Sequence, residues 1–204
     1  MKSKLQKIMV LVIMITTIIG NVSTASAADP YLTGGKFNKS NLTYYIDTTP
    51  SSSDVPAVFD SVNLYNAIEN AFSMWNTIMS SYSINLSFTS TTSRSNADII
   101  VVMGTTGGPY GKVTHEPANS SIYTKSIITI NDYLIYLHWT GGVLSGGQIF
   151  HIMMHEIGHT IGLADISDDV ASANNITSVM MNIFSVYFHN SPTSFDRTNI
   201  KKMY

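Results

Sequence analysis

The 204 residues, 44% of them hydrophobic, are enough for one domain with a full core. Eleven basic and thirteen acidic side chains give a net charge of −2, which lacks the basic footprint that a nucleic acid or an anionic membrane demands of a partner. There is no cysteine, so neither a disulfide nor a lipoprotein anchor can form.

The chain opens with Lys2, Lys4 and Lys7, followed by an apolar run over residues 8–19 broken only by Thr16 and Thr17. Residues 21–27 turn small and polar and end in Ala25-Ser26-Ala27. This order of basic, apolar and small-x-small segments predicts a signal peptide cleaved after Ala27, and the apolar run is short of the roughly 20 residues a spanning helix needs. Export removes three lysines and no acid, leaving a net charge of −5. The expectation is a secreted, extracellular protein without stable membrane association.

Residues 29–40 read as a short Gly- and Lys-containing lead. Residues 42–46 (Leu-Thr-Tyr-Tyr-Ile) predict a strand, closed by Asp47-Thr48-Thr49-Pro50. Residues 62–79 place Leu64, Ile68, Ala71, Phe72, Trp75 and Ile78 at helical spacing. Residues 84–89 alternate as a half-buried strand, and residues 97–103 form a β-branched run typical of a central strand. A glycine-rich loop over 104–111 precedes an edge-strand candidate at 112–116 and a further strand at 126–131. After Gly141-Gly142, Ser145 and Gln148 form a capping box for a helix from 146 to about 162. The rest reads as irregular until Ser194, where Phe195, Ile200 and Tyr204 predict a short closing helix.

Inside the long helix stands His155-Glu156-Ile157-Gly158-His159. Histidines at i and i+4 share a helix face, so two imidazoles can converge on one metal ion. Glu156 is placed to reach a water on that metal rather than the metal itself. The run continues Thr160-Ile161-Gly162-Leu163-Ala164-Asp165. A straight helix would carry residue 165 about 9 Å past His159. The chain must therefore stop being helical, and Gly162 can take the positive φ that turns it back. Asp165 then returns as an oxygen ligand.

This eleven-residue pattern resembles the zinc signature of the metzincin metallopeptidases, with aspartate where their third ligand is usually histidine, as in small secreted bacterial members. Ser178-Val179-Met180-Met181-Asn182 is similar to the family's Met-turn, with Met180 as the methionine beneath the zinc histidines. Residues 42–46, the helix with Phe72 and Trp75, and Ala97-Asp98-Ile99-Ile100 resemble the first strand, first helix and third strand of matrixin catalytic domains. Thr193-Ser194-Phe195-Asp196 with Ile200 and Tyr204 resembles the last helix. The likeness covers residues 41–204.

The resemblance implies an α+β, metzincin-like fold: a twisted, mostly parallel sheet with one antiparallel edge strand, two long helices and a small irregular C-terminal subdomain ending in a helix. Residues 28–204 would form the catalytic domain, with the zinc-binding helix at about 146–162 and the subdomain at about 163–204. It implies a monomeric zinc metalloendopeptidase acting on protein or peptide substrates, with Zn2+ on His155, His159 and Asp165 and Glu156 as general base. Three protein ligands leave a fourth position for water, whose pKa zinc lowers to about 7. Substrate would lie extended along residues 112–116, and Ile183, Phe184 and Tyr187 would shape an apolar specificity pocket.

Three departures qualify the resemblance. No cysteine is present to block the zinc, and about 13 residues separate Ala27 from the first strand, so the enzyme is expected to be active once exported. Asn182 stands where astacin-type members have tyrosine. Residues 104–119 lack the acidic and histidine cluster that holds calcium and structural zinc in matrixins, so calcium has no support in the sequence. His115, Glu116, His138, His151 and His189 read as surface residues, although His151, one turn before His155, has the spacing to line the site. A secreted binding module with purely structural zinc, and a hydrolase of non-peptide amides, remain the alternatives.

Overall fold

A near-continuous apolar, β-branched run needs cover on both faces, and the strand that residues 99–104 form sits in the middle of a five-stranded sheet. The computed structural model describes residues 29–51, 61–106, 110–135, 146–181 and 191–204. The strands in chain order are β1 (Lys36–Phe37), β2 (Asn41–Asp47), β3 (Ser87–Ser90), β4 (Ile99–Gly104), β5 (Gly111–Glu116), β6 (Ile122–Tyr123) and β7 (Lys125–Asn131). The main sheet runs β3-β2-β4-β7-β5, parallel throughout except for β5, which pairs antiparallel with β7 at the edge. This is the α+β arrangement that the sequence implies. The signal-peptide segment, Ser145 of the proposed capping box, His138, His189, Asn182, Ile183, Phe184 and Tyr187 lie outside the described residues.

The helices are α1 (Ser61–Ser81), α2 (Gly146–Thr160), α3 (Asp168–Asn174) and α4 (Ser194–Lys201). On α1, Leu64, Ile68, Ala71, Phe72, Trp75 and Met79 are all buried, a stripe at 3.6-residue spacing that packs on the sheet and on α2. Phe72 stacks on Tyr44 of β2 at 3.8 Å, and Trp75 Nε1 donates to the Met154 carbonyl of α2 at 3.1 Å. That bond satisfies the indole N–H inside the core and fixes the height of α2, the helix that carries the motif, against α1. Among the described residues no helix is long and apolar enough to cross a membrane.

Several predicted boundaries move. Ile84, Leu86 and Phe88 are buried in alternation as expected, but the strand begins only at Ser87, because β2 offers its first partner there, Asn41 to Ser87. The Asn76 side chain then brackets Phe88, accepting from its N–H at 2.7 Å and donating to its carbonyl at 2.8 Å. The lead contains β1, which pairs parallel with β6. The stretch after the motif helix, read as irregular, contains α3. Ser167 caps it by accepting from Val170 N–H, Asp168 and Asp169 fill its first turn, and Asn175 ends it at φ 52°.

Candidate metal centre

α2 brings His155 and His159 one turn apart onto the face that meets the cleft, their rings at 88° and 4.7 Å between centroids. The helix ends in a Schellman motif: Leu163 N–H donates to the Gly158 carbonyl at 3.0 Å and Gly162 N–H to the His159 carbonyl at 3.0 Å. Gly162 holds φ +96°, the left-handed turn that reverses the chain. Three residues on from Gly162, Asp165 faces the histidines. His155 Nε2 and His159 Nε2 are 3.1 Å apart, and Asp165 Oδ1 lies 3.1 Å from the first and 3.2 Å from the second. Neither Asp168 nor Asp169 joins this group.

The other ring nitrogens determine what those three atoms are. His155 Nδ1 lies 3.0 Å from the Val179 carbonyl and His159 Nδ1 lies 2.9 Å from the Leu163 carbonyl. A carbonyl only accepts, so each Nδ1 carries a hydrogen, and Nε2 is left as the atom whose lone pair each ring can turn to a metal ion. Two lone pairs and a carboxylate oxygen within 3.2 Å repel unless a cation lies between them. The edges are close to those of a tetrahedron with bonds of about 2.0–2.1 Å, about 3.3 Å, as zinc with nitrogen and oxygen ligands requires.

Glu156 follows the first histidine and is 6% exposed; its Oε2 has no protein hydrogen-bond partner. Burial pushes its pKa up, against the pull of charge on His155 and His159. Burial opposes charge on His159 too, but the Asp165 carboxylate and Glu156 together hold its pKa above the ordinary value. The two imidazoles packed against Asp165 hold its carboxyl far below the usual carboxylate range. An unpartnered buried carboxylate oxygen beside three convergent donor atoms fits a metal and a polarised water.

The matrixin family model matches residues 36–204. The chain belongs to the matrixin family. It is a zinc-dependent endopeptidase of that family, and its His-His-Asp group is consistent with the zinc the family binds. No curated protein matches the chain.

In this matrixin the turn under the metal centre is held from the far end of the chain. Asp196, buried in the first turn of α4, accepts hydrogen bonds from Ser178 Oγ, from Val179 N–H at 3.2 Å, and from Thr193 N–H at 2.8 Å and Oγ1 at 3.0 Å. Ser178 Oγ accepts from Met180 N–H at 2.9 Å. The turn so fixed presents the Val179 carbonyl to His155 and sets Met180, 1% exposed, against α2. There the helix has Gly158 between His155 and His159, because a methyl group at that position would run into Met180 Sδ. Met180 thus packs on the motif helix at Gly158, as the resemblance to the Met-turn implies. In the sequence Asp196 shows only as part of the closing helix, not in this role. Its signal is the Thr193-x-x-Asp196 spacing of a capping box.

The cleft above the metal centre, about 1220 Å³, is lined by β5 from Gly111 to Val113, by Glu156, Ile166 and Val170, and by Pro30, Tyr31 and Thr33 of the lead. His115, read as a surface residue, also lines it. Its ring stacks on Tyr123 at 3.8 Å, its Nδ1 lies 2.8 Å from Ser126 Oγ, and burial with the nearby His159 charge lowers its pKa to about 4. The reason is strand alternation: β5 turns residues 111, 113 and 115 to the cleft side and leaves Glu116 exposed, as expected. His151 is buried and takes no part in the lining.

Proposed function

We propose that this matrixin is a secreted, monomeric endopeptidase whose catalytic domain is residues 28–204 after removal of residues 1–27, with His155, His159 and Asp165 as zinc ligands and Glu156 as general base. The observation that carries the reading is the triangle of His155 Nε2, His159 Nε2 and Asp165 Oδ1, 3.1–3.2 Å on each side, with Glu156, its Oε2 unpartnered, lining the same cleft. Zinc, when bound, supplies Lewis acidity that makes a water acidic near neutral pH and polarises the scissile carbonyl. The outer edge of β5 offers its backbone groups to an extended peptide, which fixes the scissile bond over the centre. Glu156 takes the proton of the attacking water, and its raised pKa suits it to pass that proton to the leaving amine. Val179 and Leu163, through their carbonyls, hold the hydrogen on each Nδ1 and keep both Nε2 atoms aimed inward.

The test is cleavage of casein and of a peptide library by the exported protein, with a zinc chelator added and zinc then restored. Chelator-sensitive, zinc-restored cleavage is the expected result. Stoichiometric zinc with no cleavage of any peptide would favour the binding-module alternative. Mass analysis of the protein from the medium should place its N-terminus at Ala28.

A further inference from the structure

Leu163 and its flanking peptide groups determine how two of the three metal donors are presented. Its carbonyl holds His159 Nδ1, and Asp165 follows two residues later. That stretch is not self-supporting. Leu32 forms an antiparallel bridge with Leu163; Thr33 N–H donates to the Gly162 carbonyl at 2.9 Å, and Ala164 N–H donates to the Tyr31 carbonyl at 3.0 Å. Thr33 Oγ1 also donates to the Gly162 carbonyl at 3.3 Å, so the Tyr123 hydroxyl 3.2 Å away donates to Thr33 in turn. The polar groups on both sides of Leu163 are thus bonded to residues 31–33.

Those residues are themselves anchored to the C-terminal end of the fold. The Tyr31 ring meets Phe195 of α4 edge-on at 4.8 Å, and Asp29 pairs with Lys202 at 2.6 Å. Lys36 donates to the Met203 carbonyl and Phe37 N–H to the Tyr204 hydroxyl at 3.2 Å. Pro30, Tyr31 and Thr33 at the same time form part of the cleft wall.

The geometry points to residues 31–33 as a positioning clamp for the third-ligand loop, with Tyr31 and Thr33 setting zinc affinity although neither offers a ligand atom. The inference rests on the ligand assignment proposed above. Releasing the clamp lets the Gly162–Leu163–Ala164 turn relax, which loosens the carbonyl that orients His159 and moves Asp165 off the two imidazoles. Outer partners of this kind change metal affinity by about 10–100-fold.

The test uses the full chain in two states. In the metal-free protein, hydrogen exchange at the Ala164 and Thr33 amides should be slow in the wild type and at least tenfold faster in Tyr31→Ala/Thr33→Val, which removes the ring seated on Phe195 and the hydroxyl on Gly162. Zinc affinity, by competition with a chelator at 25 °C, should fall about 10–100-fold in the double variant and return to within about threefold of wild type in Thr33→Ser with Tyr31 intact. Phe88→Ala, a core truncation away from the site, should lower the melting temperature yet leave zinc affinity within about twofold. Faster Ala164 exchange with unchanged affinity would overturn the proposal, and so would an equal affinity loss in Phe88→Ala. Should the double variant not fold, a wild-type Ala164 amide exchanging at the rate of an unstructured peptide would overturn it alone. A protein that passes these tests but cleaves no peptide would refute the peptidase reading and leave the clamp standing.

Discussion

Gly158 sits between His155 and His159 on the helix, and replacing it with alanine separates two effects that oppose each other. On an unhindered helix, Gly→Ala stabilises by about 1 kcal/mol. Here the added methyl would collide with Met180 Sδ and lie 3.5 Å from Leu163 Cδ1, so the buried Met180, 1% exposed, must shift to admit it. Overpacking of this kind costs about 1–3 kcal/mol, so Gly158→Ala alone should be neutral to destabilising by about 2 kcal/mol. Met180→Ala alone should cost about 2–5 kcal/mol through lost burial and the cavity left behind. In the Met180→Ala background the collision is gone, and Gly158→Ala should stabilise by about 1 kcal/mol. The coupling between the two is then about 1–3 kcal/mol, measurable by urea unfolding of the four metal-free proteins. Gly158→Ala should also weaken zinc binding about tenfold or more, because the displaced turn carries the Val179 carbonyl that orients His155. An effect of Gly158→Ala that is the same in both backgrounds within about 0.5 kcal/mol would refute the packing argument.

Three further outcomes follow from the geometry. Asp165→Ala should lose zinc affinity by competition assay while Asp168→Ala and Asp169→Ala retain it; zinc kept by the first and lost by the second would reassign the ligand. Asp196→Ala should destabilise by about 3–5 kcal/mol in urea unfolding, since it leaves the donors of Ser178, Val179 and Thr193 without their buried acceptor. In metal-free protein, wild type should lose stability as pH falls from about 6.5 to about 4, because His115 takes up its proton in the unfolded chain at the first value and in the folded chain only near the second. That loss should be smaller in His115→Phe, and parallel pH profiles for the two proteins would contradict it.

The elements legible in the sequence are those whose pattern is local. The apolar, β-branched run at 97–103 demands a strand covered on both faces, and the stripe from Leu64 to Ile78 demands a helix on a core; the strand stands at 99–104 and the helix at 61–81, with Met79 rather than Ile78 closing the buried stripe. The convergence of His155, His159 and Asp165 was legible for the same reason, since helix pitch fixes the two histidines and Gly162 announces the reversal that returns Asp165. What failed to show is what depends on distant partners. β1 and β6 are two residues each and exist only because Lys36 and Phe37 meet Ile122 and Tyr123. His115 resembles any polar residue on an edge strand until Tyr123 stacks on it. The lead gives no sign that Tyr31 and Thr33 bracket Leu163, because the hydrogen bonds run through backbone groups that every residue has. α3 could have been found, as Ser167 before two aspartates is a helix-start signature.

Glu156→Gln tests the account most directly, because it keeps the size of the side chain and removes its basicity while leaving His155, His159 and Asp165 in place. Zinc content and peptide cleavage are measured on the same purified variant. The account predicts stoichiometric zinc, a melting temperature at or above that of wild type since a buried charge is removed, and cleavage reduced by at least about 100-fold. Cleavage at a near wild-type rate by a zinc-loaded Glu156→Gln protein would contradict it.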